Sequence, residues 1–425
     1  MKQKEFELIK LKNGLRVLLV SKKESLTTTA LVVVSAGSDY ENKNINGISH
    51  FLEHMCFKGT KKRPNSMVIA EELDGLGAEY NAFTSNEYTS YYAKAKNEMA
   101  PRILEIVSDM YLNPIFNPDD IEREKGVIVE EINMYEDLPQ RKVQELFMET
   151  IYGDQPAGRS IAGEKKVVRS LKREDFVLYR KNHYLPQSTI VVLSGGFSKK
   201  EVLKQINEYF KYMPEGKKNK KTKTKDVQKN PQEKIFFKKS DQTHLCLGFR
   251  AFGVSDKRQY ALEVLTDILG GGMSSRLFNT VREKMGAAYY INAYTDLYTD
   301  HGYIAMSAGI NNKKLYEVLR ASLKEFALLK TELVSSKELK RAKEHLVGNI
   351  FLGLETSERI GYYYGIQEIM NRKPITPHEL EKKIRAVTAK DIRDVARALF
   401  KNEKLNFSAV GPIKDRSLKK HLTIK

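Results

Sequence analysis

His50 and His54 stand four residues apart with Glu53 between them, in the run His50-Phe-Leu-Glu-His54. On a helix, positions i and i+4 share a face and i+3 lies beside them. Neutral imidazole nitrogens suit zinc, and a carboxylate beside them can act as base toward a metal-activated water. The order is the inverted His-x-x-Glu-His form rather than His-Glu-x-x-His. The competing reading is a pair of solvated histidines on a polar helix. Ile48, Phe51, Leu52, Met55 and Phe57 argue against it, because a half-buried helix must satisfy its polar groups somehow.

A catalytic zinc site wants three protein ligands and an open position. The third ligand is expected from acids on another helix. Glu122, Glu124, Glu130, Glu131 and Glu136 crowd one helical segment. Glu124 and Glu131 are two turns apart and share a face, with Val127 and Ile128 on or near it, which suggests a buried face. A buried carboxylate pair needs compensation, and a divalent cation supplies it. Glu131 is the favoured ligand, while Glu122 and Glu136 read as a solvated face. Cys56 lies two residues past His54 and points away from the ligand face, so it reads as packing.

The elements that must position these groups follow from pattern. Runs 15–20 and 29–34 are β-branched and strand-like, and 66–76 is a helix closed by Gly75 and Gly77. Residues 80–94 alternate and read as a hairpin, 99–112 and 118–136 as helices, 189–194 as a strand and 198–212 as a helix. The second half echoes the first. Residues 77–84 line up with 286–295, and 121–132 with 339–350, so two copies of one α+β unit are expected, each a mostly antiparallel sheet with helices packed on one face. In the second copy Asn349 stands where Glu131 stands and Ala342 where Glu124 stands, and the 260–269 helix carries no His-x-x-Glu-His. A cluster kept in one copy only points to chemistry rather than scaffold. The expected division is a metal-binding domain over 1–212, a Lys-rich linker over 213–232 and a homologous metal-free domain over 233–425. Gly270-Gly-Gly-Met-Ser-Ser lacks the Gly-Lys-Ser/Thr ending of a phosphate loop and reads as a helix terminus with a turn.

The net charge is +18, yet the one dense basic run, 217–225, has no interleaved aromatic residue. It reads as a solvated, flexible linker and not as a nucleic-acid platform. Two distant cysteines, Cys56 and Cys246, argue against a disulfide framework. The start of the chain has charges of both signs and no apolar core, unlike a secretory signal, and no apolar run reaches membrane-spanning length. A cytoplasmic protein with no nucleic-acid and no membrane partner is expected.

Over nearly its whole length the chain resembles the pitrilysin (M16) family of zinc peptidases, which includes the mitochondrial-processing-peptidase group, and most of all its short bacterial members. The resemblance is carried by His50–His54, the Glu124 and Glu131 pair, Asn81-Ala-Phe-Thr-Ser-Asn-Glu-Tyr-Thr-Ser-Tyr-Tyr92, residues 152–163 and Arg282-Glu-Lys-Met-Gly-Ala-Ala-Tyr289. It implies zinc bound by His50, His54 and Glu131, Glu53 as general base, and Glu124 supporting the ligands from behind. It implies that the strand with Asn81 and Ala82 receives substrate as an added β-strand. It further implies that Arg282 and Tyr289 contact substrate near the scissile bond, where they would hold a carbonyl and stabilise an oxyanion. The activity implied is zinc-dependent endopeptidase cleavage of extended peptides or unfolded segments. The alternative is a non-catalytic partner or assembly subunit of the same fold. Larger members enclose substrate between two halves, so one chain of this length implies a homodimer, or a heterodimer with a related subunit, in which Arg282 and Tyr289 of one chain complete the other's site.

Overall fold

The computed structural model describes residues 5–217, 219–415 and 417–424. Residues 1–4, part of the segment read as unlike a secretory signal, and Lys218 of the basic run lie outside them. In chain order the first elements are β1 (Glu7–Lys10), β2 (Arg16–Ser21), β3 (Thr27–Val34), α1 (Ile48–Met55), α2 (Ser66–Gly75), β4 (Glu79–Thr84), β5 (Thr89–Lys96), α3 (Ala100–Leu112) and α4 (Pro118–Asp137). There follow α5 (Pro139–Tyr152), α6 (Lys165–Ser170), α7 (Arg173–His183), β6 (Thr189–Gly195) and α8 (Lys199–Phe210). The second series is β7 (Gln232–Phe237), β8 (Gln242–Ala251), α9 (Gln259–Gly270), a helical segment Phe278–Lys284, β9 (Ala288–Leu297), β10 (Gly302–Asn311), α10 (Leu315–Thr331) and α11 (Ser336–Leu352). It ends with α12 (Ser357–Ile369), α13 (Pro377–Ala386), α14 (Ala389–Leu399) and β11 (Leu405–Gly411). The strands, hairpin and helices expected from pattern all form, within a few residues of the expected ends.

The chain divides into two units, one of residues 1–132, 160–222 and 352–376, the other of 133–159, 223–351 and 377–425. The first is built on a six-stranded sheet in the order β1-β2-β6-β3-β5-β4 and the second on a five-stranded sheet in the order β7-β11-β8-β10-β9. Each is antiparallel except for one parallel pair, β2–β6 and β7–β11. The duplication is visible strand for strand: β4 and β9 are both edge strands, and the glycines before them, Gly77 and Gly286, have φ +61° and +54°. That left-handed turn is open to glycine at no steric cost.

The expected division at 213–232 contains the observed change of unit at residues 222/223, but two helices depart from a simple split. α5 belongs to the second unit and α12 to the first. One face of the first sheet packs on α1, α2, α3, α7 and α8. The other, with Leu18, Val20, Leu31, Val33, Ile190 and Val192, is covered by Ile360, Tyr364 and Ile369 of α12. Gly361 and Gly365 let α12 approach closely: a β-carbon at Gly365 would stand 3.1 Å from Val192. In the second unit Val143, Leu146, Phe147 and Ile151 of α5 cover Cys246, Ala305 and Val410, opposite the larger layer of α9, α10 and α14. Helices therefore lie on both faces of each sheet, beyond the single layer expected. The reason is in the strands: β6 is buried at every position, so each of its faces needs a cover.

Most described residues of the basic run are exposed, as expected of a solvated linker, but two of them are held by partners. Lys221 reaches the buried carboxylates of Asp39 and Glu87 within the first unit. Thr224 is buried in the second unit, its amide donating to Asp300 over 2.8 Å. Segments without regular structure are held here by side-chain partners.

Candidate active site

α1 buries Ile48, Phe51, Leu52 and Met55 against the first sheet. This i, i+3, i+4, i+7 stripe fixes the helix, each side chain contributing on the order of 1.5–3 kcal/mol by burial. His50, Glu53 and His54 occupy the flank beside that stripe. The helix starts at Gly47, which has no side chain to cap it. Glu41 does so from the preceding loop: its carboxylate accepts from the Gly47 amide at 2.7 Å, the Ser49 amide at 2.8 Å and Asn46 Nδ2 at 3.0 Å. Its carboxyl oxygens thereby satisfy amides that the first turn of the helix leaves without intrahelical partners.

α4 brings its acids to the same place. Glu131 Oε2 lies 3.6 Å from His50 Nε2 and 3.6 Å from His54 Nε2, and the two ring nitrogens are 3.3 Å apart. A cation bound tetrahedrally at zinc–ligand lengths holds its donor atoms about 3.4 Å from one another. The triangle fits such an ion, and these residues are the metal-ligand cluster found among the described residues. Partial exposure of all three side chains leaves room for a further, non-protein ligand. Val127, expected at or near the buried face of α4, is instead 51% exposed. It lies about 100° around the helix from buried Ile128, so the acids sit at the margin of the buried stripe, where a site can stay open.

Glu124 stands behind His54. Its Oε1 accepts from His54 Nδ1 at 2.9 Å and its Oε2 from Lys58 Nζ at 2.6 Å. The first bond leaves the lone pair of His54 Nε2 facing Glu131. Burial works to raise the Glu124 carboxyl, but the bonds from His54 and Lys58 bring it below the usual range. Burial and then repulsion from His54 lower His50 to about 4, against the pull of Glu131, so its ring is neutral at neutral pH. Burial also opposes charge on His54, yet the bond from Glu124 and the acids Glu53 and Glu131 raise it. Glu53 is raised by burial, against a hydrogen bond from Thr84 and the charge of His54. A carboxylate of raised pKa is a better proton acceptor near neutrality.

Asn81 and Ala82 lie on edge strand β4, which pairs with β5. Ala82 is buried on the α1 side and Asn81 is exposed. Arg282 and Tyr289 belong to the second unit. Arg282 is exposed, its guanidinium 4.8 Å from the Phe278 ring centre, and Tyr289, 76% exposed, is the second residue of edge strand β9. Cys56 and Cys246 are buried free thiols, both pushed up to about 11 by burial. In the second unit Asn349 Nδ2 lies 3.2 Å from His345 Nε2, and Ala342 is buried. Sequence reasoning missed Glu41, Lys58 and Thr84. Each acts through side-chain hydrogen bonds that carry no periodic signal, although Thr84 falls inside a motif already singled out.

Comparison with known proteins defines the class first. Residues 16–165 match the model of the insulinase family (peptidase family M16) and residues 170–346 that of the peptidase M16 inactive domain. The chain belongs to the M16 peptidase family. Among its relatives, the "Uncharacterized zinc protease YmxG" of Bacillus subtilis is 35% identical over 389 residues, 91% of this chain and 94% of its own length. An "Uncharacterized zinc protease" of Rickettsia bellii is 33% identical over 415 residues, 96% of this chain and 98% of its own. The fold matches a crystallised protease from Helicobacter pylori with a TM-score of 0.88 at 21% identity, over 96% of this chain and 99% of that one. A peptidase M16 inactive domain from Pseudomonas fluorescens gives 0.88 at 19% identity, over 97% and 99%. Among the described residues no helix is long and apolar enough to cross a membrane.

Proposed function

We propose that this M16 family member is a zinc-dependent endopeptidase that cleaves extended peptides or unfolded segments, with Glu53 as general base. The observation that carries this reading is the triangle of His50 Nε2 and His54 Nε2 from α1, the helix that also presents Glu53, with Glu131 Oε2 from α4. Relatives named as zinc proteases support the choice of metal. A zinc ion bound there supplies a Lewis acid that polarises a peptide carbonyl and acidifies water. The chain's own residues do the rest. His50, His54 and Glu131 hold the cation, and Glu124 orients His54. Glu53 takes a proton from the attacking water and passes it to the leaving amine. The free edge of β4 at Asn81 and Ala82 binds substrate main chain as an added strand, which favours extended peptides of varied sequence.

Cleavage of a quenched-peptide panel, with and without chelator, tests the activity. Glu53→Gln is expected to keep its zinc and lose turnover by at least about a hundredfold. Undiminished turnover in that variant removes Glu53 from the base role.

The reading extends to assembly. Arg282 and Tyr289 complete the site of a second chain, in a homodimer or a heterodimer with a related subunit. Glu53→Gln and Arg282→Ala chains, each inactive alone, are expected to regain activity when their subunits exchange. Activity that stays absent after verified exchange refutes sharing between chains.

A further inference from the structure

Thr84 is the last residue of β4 and pairs with Thr89 at the end of the β4–β5 ladder. Its Oγ1 lies 2.6 Å from Glu53 Oε2. A hydroxyl has one proton and an ionised carboxylate only accepts, so Thr84 is the donor. Its other oxygen neighbours are farther, Thr89 Oγ1 at 3.4 Å and the Ser49 carbonyl at 3.5 Å. The Thr89 proton is already given to the Ala36 carbonyl at 2.8 Å. The Thr84 proton is thus committed to Glu53, in a short bond to a charged acceptor, among the stronger hydrogen bonds in proteins. It ties Oε2, while Oε1 accepts no hydrogen bond among the described residues.

Thr84 stands two residues beyond Ala82 on the same face of the same edge strand. A peptide added to β4 therefore takes its main-chain hydrogen bonds from the strand whose end grips the base. We propose that Thr84 is a positioning residue for Glu53: its hydroxyl holds one carboxylate oxygen, turns the other toward the reacting water, and couples the aim of the base to occupancy of the β4 edge. This inference rests on the peptidase reading above. The bland role for the same bond is to satisfy a half-buried carboxylate, and the two roles part in kinetics.

The experiment compares steady-state hydrolysis of one quenched fluorescent peptide by the zinc-loaded full chain as wild type, Thr84→Val, Thr84→Ser and Glu53→Gln, with zinc content measured on each. Valine keeps the shape and strand preference of threonine and removes the donor. The expected result for Thr84→Val is a kcat lower by about 10–100-fold, with KM within about twofold and zinc unchanged. Thr84→Ser is expected to recover to within about threefold of wild type, because the donor returns. A wild-type kcat in Thr84→Val overturns the proposal. So does a Thr84→Ser no better than Thr84→Val, or a loss of zinc in step with kcat, which marks a structural role. Turnover by Glu53→Gln equal to wild type removes the base and this role with it. Turnover lost in Glu53→Gln and kept in Thr84→Val removes the Thr84 role alone.

Discussion

Glu124 gives one carboxylate oxygen to His54 and the other to Lys58, so each end of that buried acid has a charged or chargeable partner. Removing its charge leaves His54 free to rotate and to change tautomer. Glu124→Gln is expected to weaken zinc binding about 10–100-fold, read by competition with a chromophoric chelator; unchanged affinity would show that His54 is oriented by other contacts. Much of this site was legible in the sequence, because His50, Glu53 and His54 share one face of a helix and the missing acids at Ala342 and Asn349 singled out Glu124 and Glu131 by contrast. Glu41, Lys58 and Thr84 were not legible. A hydroxyl or charge meeting its partner across a loop, or from a strand or turn to a helix, leaves no spacing to recognise.

At the scale of elements, α1 depends on a cap that comes from outside the helix. Glu41 is wholly buried, and burial outweighs its hydrogen-bond donors to raise it from 4.5 to about 7. Tyr179, the titratable group of α7 that faces it, is pushed well above its ordinary value by burial and by Glu41, so it stays neutral in that range. A carboxyl with a raised folded pKa binds its proton more tightly folded than unfolded. Its contribution is therefore complete below about pH 4.5 and is lost as pH rises toward about 7. The change amounts to on the order of 3 kcal/mol. Chemical denaturation at several pH values is expected to show this decline in wild type and a flatter profile in Glu41→Gln; equal slopes would mean that Glu41 titrates normally. The strands and hairpins were readable because alternation and β-branching are local. The second layer on each sheet was not placed by the sequence reading, since a helix does not encode which sheet it will cover. Its trace is indirect, in runs such as 29–34 and 189–194 that are apolar at successive positions rather than at alternate ones.

For the whole molecule, the reassignment of α5 and α12 means that neither half of the sequence contains a complete unit. A fragment ending at residue 232 lacks Ile360, Tyr364 and Ile369, and so leaves Leu18, Leu31, Val33 and Val192 without their cover. Such a fragment is expected to bind a hydrophobic dye and to lack cooperative unfolding, with both properties corrected when residues 233–425 are co-expressed. A fragment that unfolds cooperatively by itself would refute that dependence.

The same arrangement sets a timetable for synthesis. The sixth strand is complete at Gly195, but α12 is finished only at Ile369, so the ribosome must add 369 − 195 = 174 residues in between. At about 5–20 residues per second that takes on the order of 10–35 s. For that interval the nascent chain carries a sheet with one greasy side open to water, a target for chaperones that its finished form would no longer offer.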